Sequence, residues 1–142
     1  MKNLYKILRV APSADMQVIF YAYRTLKEIY GPENLVTGNA AVYAEIIEAY
    51  SLLSDLEKKI AYDKDFADQI IDQNPDSFYQ ILQVDKKADS KIIRYAYRYL
   101  ASLHHPENIE SGDSEKFRIL TEAWRVLSDE KKRAEYDKGL SH

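Results

Sequence analysis

The chain is built from one segment that occurs twice. Shifted by 74 residues, the 142-residue sequence aligns with itself without a gap, and about 25 of 60 positions in 5–64 are identical to those in 79–138. The shared blocks keep their order: Tyr5-x-Ile7-Leu8-x-Val10 and Tyr79-x-Ile81-Leu82-x-Val84, Tyr21-Ala22-Tyr23-Arg24 and Tyr95-Ala96-Tyr97-Arg98, Pro32-Glu33-Asn34 and Pro106-Glu107-Asn108, Leu53-Ser54-Asp55 and Leu127-Ser128-Asp129, Tyr62-Asp63-Lys64 and Tyr136-Asp137-Lys138. A repeat of this kind marks a duplicated structural unit. The sequence therefore predicts two similar domains, the first copy (1–64) and the second copy (76–142).

The apolar residues of the second copy fall at helical spacing. One stripe predicts a helix over 90–104, with Asp89 as its N-cap and Pro106 preventing its continuation; the stripe is Ile93, Ala96, Tyr97, Leu100 and Leu103. A second stripe predicts a helix over 114–127; it is Phe117, Leu120, Ala123, Trp124 and Leu127. A short helix over 77–82 precedes them, and a charged helix follows from a cap at Ser128 or Asp129 through Tyr136.

The first copy repeats this pattern with two stripes of its own, Ile19, Ala22, Tyr23, Leu26 and Ile29, then Tyr43, Ile46, Ala49, Tyr50 and Leu53. Two long helices joined by a short loop pack antiparallel as a helical hairpin. No segment alternates with the period of a strand, so no sheet is predicted. The predicted fold class is all-α, with two tandem four-helix units.

Residues 65–75 lie between the copies and carry acidic residues without a basic one, namely Asp65, Asp68 and Asp72. Phe66, Ile70 and Ile71 keep helical spacing, and the segment lacks the Gly/Ser character of a flexible tether. We expect a helical extension of the first copy that stops at Asn74-Pro75 and buries its three apolar side chains, which would connect the copies semi-rigidly.

Composition excludes several classes of protein. Cysteine is absent, which removes disulfides and thiolate metal sites and is typical of a reducing compartment. The net charge of −3 argues against a general nucleic-acid coat. No stretch is apolar and long enough to span a membrane, and the N-terminus has no signal-peptide pattern. The default location is the cytoplasm, with no cofactor and no membrane partner.

The ordered motifs resemble the J-domain of Hsp70 co-chaperones. The order is Tyr-x-Ile-Leu-x-Val, Ala-Tyr-Arg, His-Pro-acidic-Asn, Leu-Ser-Asp and Tyr-Asp, and the second copy shows all of it. The resemblance implies a four-helix J-domain in each copy. It also implies that the basic face of the second helix and a His-Pro-Asp tripeptide dock on an Hsp70-type chaperone and bias it toward ATP hydrolysis. By this resemblance, the binding residues in the second copy are Lys91, Arg94, Arg98, His105, Pro106, Glu107 and Asn108.

Both copies depart from the tripeptide. The second has glutamate at 107, which keeps the charge but sets the carboxylate one methylene further out. The first copy has no imidazole at all; its equivalent positions are Gly31, Pro32, Glu33 and Asn34. The helix before that loop carries Arg24 and Lys27, whose positive charge Glu28 partly offsets. The equivalent helix of the second copy carries Lys91, Arg94 and Arg98, and it has no acidic residue after Asp89. We expect an attenuated co-chaperone that acts mainly through the second copy.

Two alternatives stay open. The J fold can serve as a protein-binding scaffold without Hsp70 stimulation, since a fold does not guarantee its usual function. More weakly, the tyrosines at 21, 23, 95, 97 and 99 with their interleaved arginines suggest a nucleic-acid accessory domain, although core and flank positions explain them more simply.

Enzymatic and metal chemistry are not predicted. Glu33 and Glu107 have no nucleophile beside them in the loops. His104 and His105 are adjacent and do not face one another on a helix. The run 130–135 is interpreted as a solvated helix face.

Overall fold

The computed structural model describes residues 2–67 and 77–140, and this part of the chain is helical without strands. The first copy contains α1 (Leu4–Ile7), α2 (Met16–Tyr30), α3 (Ala40–Leu53) and α4 (Leu56–Phe66). The second contains α5 (Phe78–Ile81), α6 (Ser90–His104), α7 (Ser114–Leu127) and α8 (Glu130–Leu140). The predicted all-α architecture of two tandem units is confirmed. The last helix continues past Tyr136, where the sequence pattern ended.

Polar caps fix where most of these helices begin. Asp113 accepts hydrogen bonds from the amides of Glu115 and Lys116, and Asp129 accepts one from Lys132, each at 3.1 Å. Such caps satisfy amides that have no partner within the helix. Asp89 occupies the N-cap of α6, as predicted, but makes no capping bond; its carboxylate accepts a hydrogen bond of 3.2 Å from Arg9 of the first copy.

The long helices of each copy form an antiparallel hairpin around a small apolar core. Leu26, Ala49 and Leu53 are fully buried in the first copy, and Leu100, Ala123 and Leu127 are buried in the second. Half-buried aromatic pairs close the hairpins: Tyr23 stacks on Tyr50 with ring centroids 3.8 Å apart, and Tyr97 stacks on Trp124 at 4.9 Å.

The last helix of each copy is tied to the first by tyrosine hydroxyls. Tyr5 donates a short hydrogen bond to Asp63, and Tyr79 donates one of 2.5 Å to Asp137. Burial and then the aspartate bond raise the pKa of Tyr79 to about 12 and raise that of Tyr5 as well. Both hydroxyls are therefore neutral donors at physiological pH, as the paired carboxylates require.

The two copies pack against each other around a pseudo-two-fold axis. Val10 pairs with Val84 in an isolated antiparallel bridge, and Tyr21 stacks on Tyr95 with centroids 5.6 Å apart. Each of these residues meets its own equivalent in the other copy, which happens only where a two-fold axis passes. Two such points define the axis, which runs between α2 and α6.

Reciprocal hydrogen bonds surround the bridge. The amide of Ala11 donates to the carbonyl of Gln83 at 3.1 Å, and the amide of Asp85 donates to the carbonyl of Arg9 at 3.0 Å. Arg9 and Gln83 have positive φ values of 59° and 61°, an uncommon conformation for residues other than glycine. Bonding across the axis offsets the cost of that conformation, and it does so in both copies.

An apolar stripe continues this contact along the helices. Val18 lies one turn before Tyr21, and Ile92 lies one turn before Tyr95; each is 1% exposed. Most of the buried apolar residues of the two copies belong to one connected core. Burial of apolar surface therefore stabilises the contact between the copies in addition to the core of each copy.

Only the start of the linker falls within the described residues. Phe66 ends α4, is 3% exposed and stacks on Tyr62 at 5.1 Å between centroids. The predicted burial of Ile70 and Ile71, and the stop at Asn74-Pro75, lie outside the described residues.

Candidate functional site

The outer face of α6 presents two arginines at helical spacing. Arg94 and Arg98 lie one turn apart, both side chains are exposed, and neither bonds to another residue in 2–67 or 77–140. His105, directly after the helix, continues the same line because it lies about two turns beyond Arg98. The helix thus aligns two unpaired guanidinium groups with the loop that follows.

Lys91, the third predicted basic residue, is engaged by the first copy. Its Nζ lies 3.0 Å from a carboxylate oxygen of Glu28, and both side chains are about half exposed. An exposed pair of this kind contributes about 0–1 kcal/mol to stability. The pair nevertheless neutralises one of the three positive charges expected on this face.

The tripeptide loop of the second copy holds its histidine in a defined orientation. Nδ1 of His105 accepts a hydrogen bond of 3.1 Å from the amide of Glu107, and the imidazole packs edge-on against Phe117 at 5.0 Å between centroids. Pro106 and Glu107 are exposed, and the carboxylate of Glu107 has no partner among the described residues. The loop therefore presents the unpaired carboxylate of Glu107 two residues after an ordered imidazole.

Asn108 fixes the path of this loop. Its Oδ1 accepts from the amides of Glu110 at 3.2 Å and Ser111 at 3.4 Å, while its Nδ2 donates to the carbonyl of Ser102 at 3.3 Å. One side chain thereby ties the end of α6 to the loop, as asparagine commonly does in turns. Asn108 therefore positions the tripeptide and is itself only partly accessible.

The first copy has the same loop frame around a different tip. Asn34 accepts from the amides of Val36 and Thr37 at 3.1 and 3.0 Å and donates to the carbonyl of Glu28 at 3.3 Å. Pro32 and Glu33 are exposed, as their equivalents are. Gly31 stands in place of the histidine and takes the final helical hydrogen bond, with its amide 2.9 Å from the carbonyl of Lys27.

The cations of α2 lie on aromatic rings. The guanidinium of Arg24 lies 5.6 Å from the ring centroids of both Tyr21 and Tyr95, and Nζ of Lys27 lies 5.1 Å from that of Tyr23. Cations within about 6 Å of a ring face are attracted to it. Arg24 therefore belongs to the contact between the copies, whereas its equivalent, Arg98, is free.

The contact between copies is the feature that sequence reasoning missed. The sequence pattern predicts flank positions for Tyr21 and Tyr95, and the structure stacks the two rings on each other. The available signal was the apolar pair Val18 and Ile92, which extends each helix stripe beyond what one hairpin needs. When the apolar stripe of a helix is wider than its own domain can bury, the helix is expected to pack against a second partner.

The described residues contain no group of three or more histidine, cysteine or acidic side chains that could hold a metal ion. In the same ranges, no helix is long and apolar enough to cross a membrane. The polar groups that this region does offer are the exposed guanidinium groups of α6 and, in the loop after it, an imidazole and the exposed carboxylate of Glu107.

Comparison with known proteins bears on both copies. The family model of the DnaJ domain matches residues 3–63 and again residues 77–137. A chaperone protein DnaJ from Methanothermobacter thermautotrophicus is 50% identical over 62 residues, which is 43% of this chain and 16% of that protein. A protein of the same name from Helicobacter pylori is 48% identical over 65 residues, or 44% of this chain and 17% of that protein.

A third relative of that name, from Limosilactobacillus reuteri, is 51% identical over 61 residues, covering 42% of this chain and 16% of its own length. In each of these alignments, the shared segment is about one copy long and spans about a sixth of the relative. No solved structure matches the chain.

Proposed function

Since this chain belongs to the DnaJ-domain family and carries the domain twice, we propose that its second copy engages an Hsp70-type chaperone and modulates that chaperone's ATPase. The module is a co-chaperone and does no chemistry of its own. J-domain proteins generally partner with Hsp70 chaperones, which makes this partner the first choice. The contact residues proposed are Arg94, Arg98, His105, Pro106 and Glu107, with Lys91 at the edge and Asn108 holding the loop.

The observation that supports the proposal most directly is the alignment of unpaired charge on α6. Arg94 and Arg98 are exposed without a carboxylate partner in the described residues, and they lead to the ordered imidazole of His105. A partner with an acidic surface gains ion pairs here without first breaking any within this chain. Complementary charge of this kind raises the association rate and fixes the orientation of the complex.

We expect the stimulation to be weak for two reasons. Glu107 carries its charge one methylene further out than aspartate, and a misplacement of about 1 Å is costly where one geometry is needed. In addition, Lys91 is paired with Glu28 at 3.0 Å and therefore contributes less to the positive electrostatic potential of the outer face of α6. Weak stimulation through the second copy, and none through the first, is the expected behaviour.

The test is single-turnover ATP hydrolysis by the Hsp70 of the same organism with each variant of the full chain. Glu107→Asp should raise the stimulated rate, and His105→Gln should abolish whatever stimulation exists. Gly31→His is the matched variant in the first copy and should change little, because Phe20 stands where the second copy has Arg94.

The proposal fails if the chain and Glu107→Asp are both inert while the chain still binds another protein. In that case the second candidate, a J-like scaffold without stimulation, stands. The Lys91–Glu28 pair favours that candidate, because it commits one cation of the basic face to a contact with the first copy. The nucleic-acid alternative is disfavoured, because Tyr21 and Tyr95 stack on each other and leave fewer free ring faces for bases.

The cysteine-free sequence supports a cytoplasmic site of action.

A further inference from the structure

A cleft of about 940 Å³ opens beside the loop of the first copy, between α2 and the start of α3. Its apolar lining comes from Phe20, Tyr23 and Tyr43, with Leu35 at the rim. Leu35 is 96% exposed and Phe20 is 37% exposed. Concave sites that combine aromatic walls with a few polar groups are typical of ligand-binding positions.

The cleft arises from two differences between the copies. In the second copy the imidazole of His105 packs against Phe117, but in the first copy Gly31 leaves the corresponding place beside Tyr43 without a side chain. A Cβ added at Gly31 would lie 3.7 Å from the Tyr43 ring but only 2.5 Å from the backbone carbonyl oxygen of Lys27, so a side chain here would force the backbone to shift. With glycine at this position, no side chain from residue 31 covers the Tyr43 ring. The second difference is Phe20, which replaces the arginine of the second copy and makes the wall apolar.

Two cations border this apolar space. Arg24 and Lys27 line the cleft and lie over aromatic rings, and neither pairs with a carboxylate in the described residues. Of the two acidic residues in the lining, Glu28 is already paired with Lys91, which leaves Glu33. The balance of unpaired charge is therefore positive, and the unpaired N–H donors suit a carboxylate.

We infer that this cleft binds an acidic peptide segment that inserts one bulky apolar side chain into the space beside Gly31. A carboxylate next to that side chain would pair with Arg24 or Lys27, and Leu35 would cover the inserted group. Two cations offset by Glu33 can pair with one or two carboxylates but cannot neutralise a run of phosphates, so a protein segment fits better than a nucleic acid. The inference concerns the first copy and does not depend on any Hsp70.

The test is a fluorescence-anisotropy titration of the full chain with labelled eight-residue peptides. The main probe has leucine and phenylalanine at its centre and aspartate at the flanking positions. One comparison peptide replaces the aspartates with lysine, and another replaces the two apolar residues with serine. A labelled single-stranded thymidine oligonucleotide is the fourth probe. The acidic apolar peptide should bind most tightly, and each replacement should weaken binding about tenfold.

Variants at equivalent positions locate the site. Leu35→Asp should weaken the main probe about tenfold or more, because burying a leucine side chain contributes that much. Ile109→Asp is the matched control in the second copy, where Ile109 is 100% exposed, and should change the affinity less than twofold. Both substituted side chains are exposed, so both variants should keep the thermal unfolding midpoint of the parent chain.

Four results would overturn the inference. They are no binding of the acidic apolar peptide, equal binding of the lysine peptide, equal or tighter binding of the oligonucleotide, and equal loss in Leu35→Asp and Ile109→Asp. The titration contains no Hsp70, so its result does not change if the co-chaperone proposal fails. Likewise, the ATPase measurement does not change if the peptide fails to bind.

Discussion

Tyr21 stacks on Tyr95, its own equivalent in the other copy, with the ring centroids 5.6 Å apart. The stack belongs to a contact that also buries Val18 and Ile92 and includes the bridge between Val10 and Val84. Domains that share buried apolar surface do not unfold independently, so the stability of one copy should depend on the other.

The single tryptophan of the chain, Trp124, reports on this coupling because it lies in the second copy. Leu26→Ala removes a fully buried side chain from the first copy and should cost about 2–5 kcal/mol. In urea unfolding, the Trp124 fluorescence midpoint should fall together with the far-UV circular-dichroism midpoint. Leu35→Ala, at an exposed position of the same copy, should move neither. An unchanged fluorescence midpoint in Leu26→Ala would show that the copies unfold separately.

The bond between Arg9 and Asp89 should contribute measurably to the contact. Arg9 donates to Asp89 at 3.2 Å and to the hydroxyl of Tyr30 at 3.0 Å, and the second carboxylate oxygen of Asp89 is buried without a hydrogen-bond partner among the described residues. Arg9→Ala should therefore cost about 1–3 kcal/mol, because it leaves a partly buried carboxylate unpaired.

A double-mutant cycle with Asp89→Ala separates the pair from its surroundings. A coupling energy above about 0.5 kcal/mol is expected. The exposed pair Lys91–Glu28 is the matched comparison and should give about 0–1 kcal/mol in the same cycle. If Arg9→Ala has no effect on the unfolding free energy, Arg9 does not stabilise the contact.

Alkaline pH should destabilise the chain through its buried tyrosines. The pKa of Tyr79 is raised to about 12, and that of Tyr5 is raised too, whereas an unfolded tyrosine titrates near about 10. Above about pH 10 the unfolded state loses its protons first, so the unfolding free energy falls as pH rises. The full contribution is present below pH 10 and is lost as pH rises through the folded pKa.

Each such group lowers stability by up to about 1.4 kcal/mol per pH unit in that window. Urea unfolding from about pH 8 to about pH 11.5 measures the slope. Tyr5→Phe and Tyr79→Phe should each reduce stability at neutral pH but make the alkaline slope shallower. The explanation is wrong if the double variant keeps the slope of the parent chain.

Freeing Lys91 should strengthen binding to the proposed Hsp70 partner. Glu28→Gln removes the carboxylate 3.0 Å from Lys91 without changing its size, and it returns one positive charge to the α6 face. We expect a rise in the association rate of about two- to threefold at low salt that disappears at high salt, because screening removes such attraction. Stopped-flow binding at two salt concentrations measures this. An equal rise in Glu48→Gln, at an exposed position in α3, would point to net charge alone.

The helices were predictable because their signals are local. Apolar spacing and Pro106 predict the helix over 90–104, and α6 has those bounds. Asp129 was one of two candidate caps and makes the capping bond. The core positions of both hairpins follow from the same spacing, since one helix face has to be buried in each.

The packing of one copy on the other was not predictable from those signals. Periodicity shows which face of α2 is apolar, but it does not show what covers that face. The left-handed conformations of Arg9 and Gln83 have no marker in the sequence, because glycine would have been the usual sign. The cleft beside Gly31 is equally invisible to pattern analysis, since it consists of space that an absent side chain leaves open.

The pseudo-two-fold axis has a consequence for the evolution of the chain. Two separate identical domains could use the same self-complementary surface as a homodimer, but then every substitution would appear on both sides and pairing would depend on protein concentration. Covalent linkage makes the pairing intramolecular at a high effective concentration. It also lets one loop carry His105 while the other carries Gly31. The duplication thus gives one molecule two unlike loop surfaces at a fixed relative orientation, which a symmetric dimer cannot have.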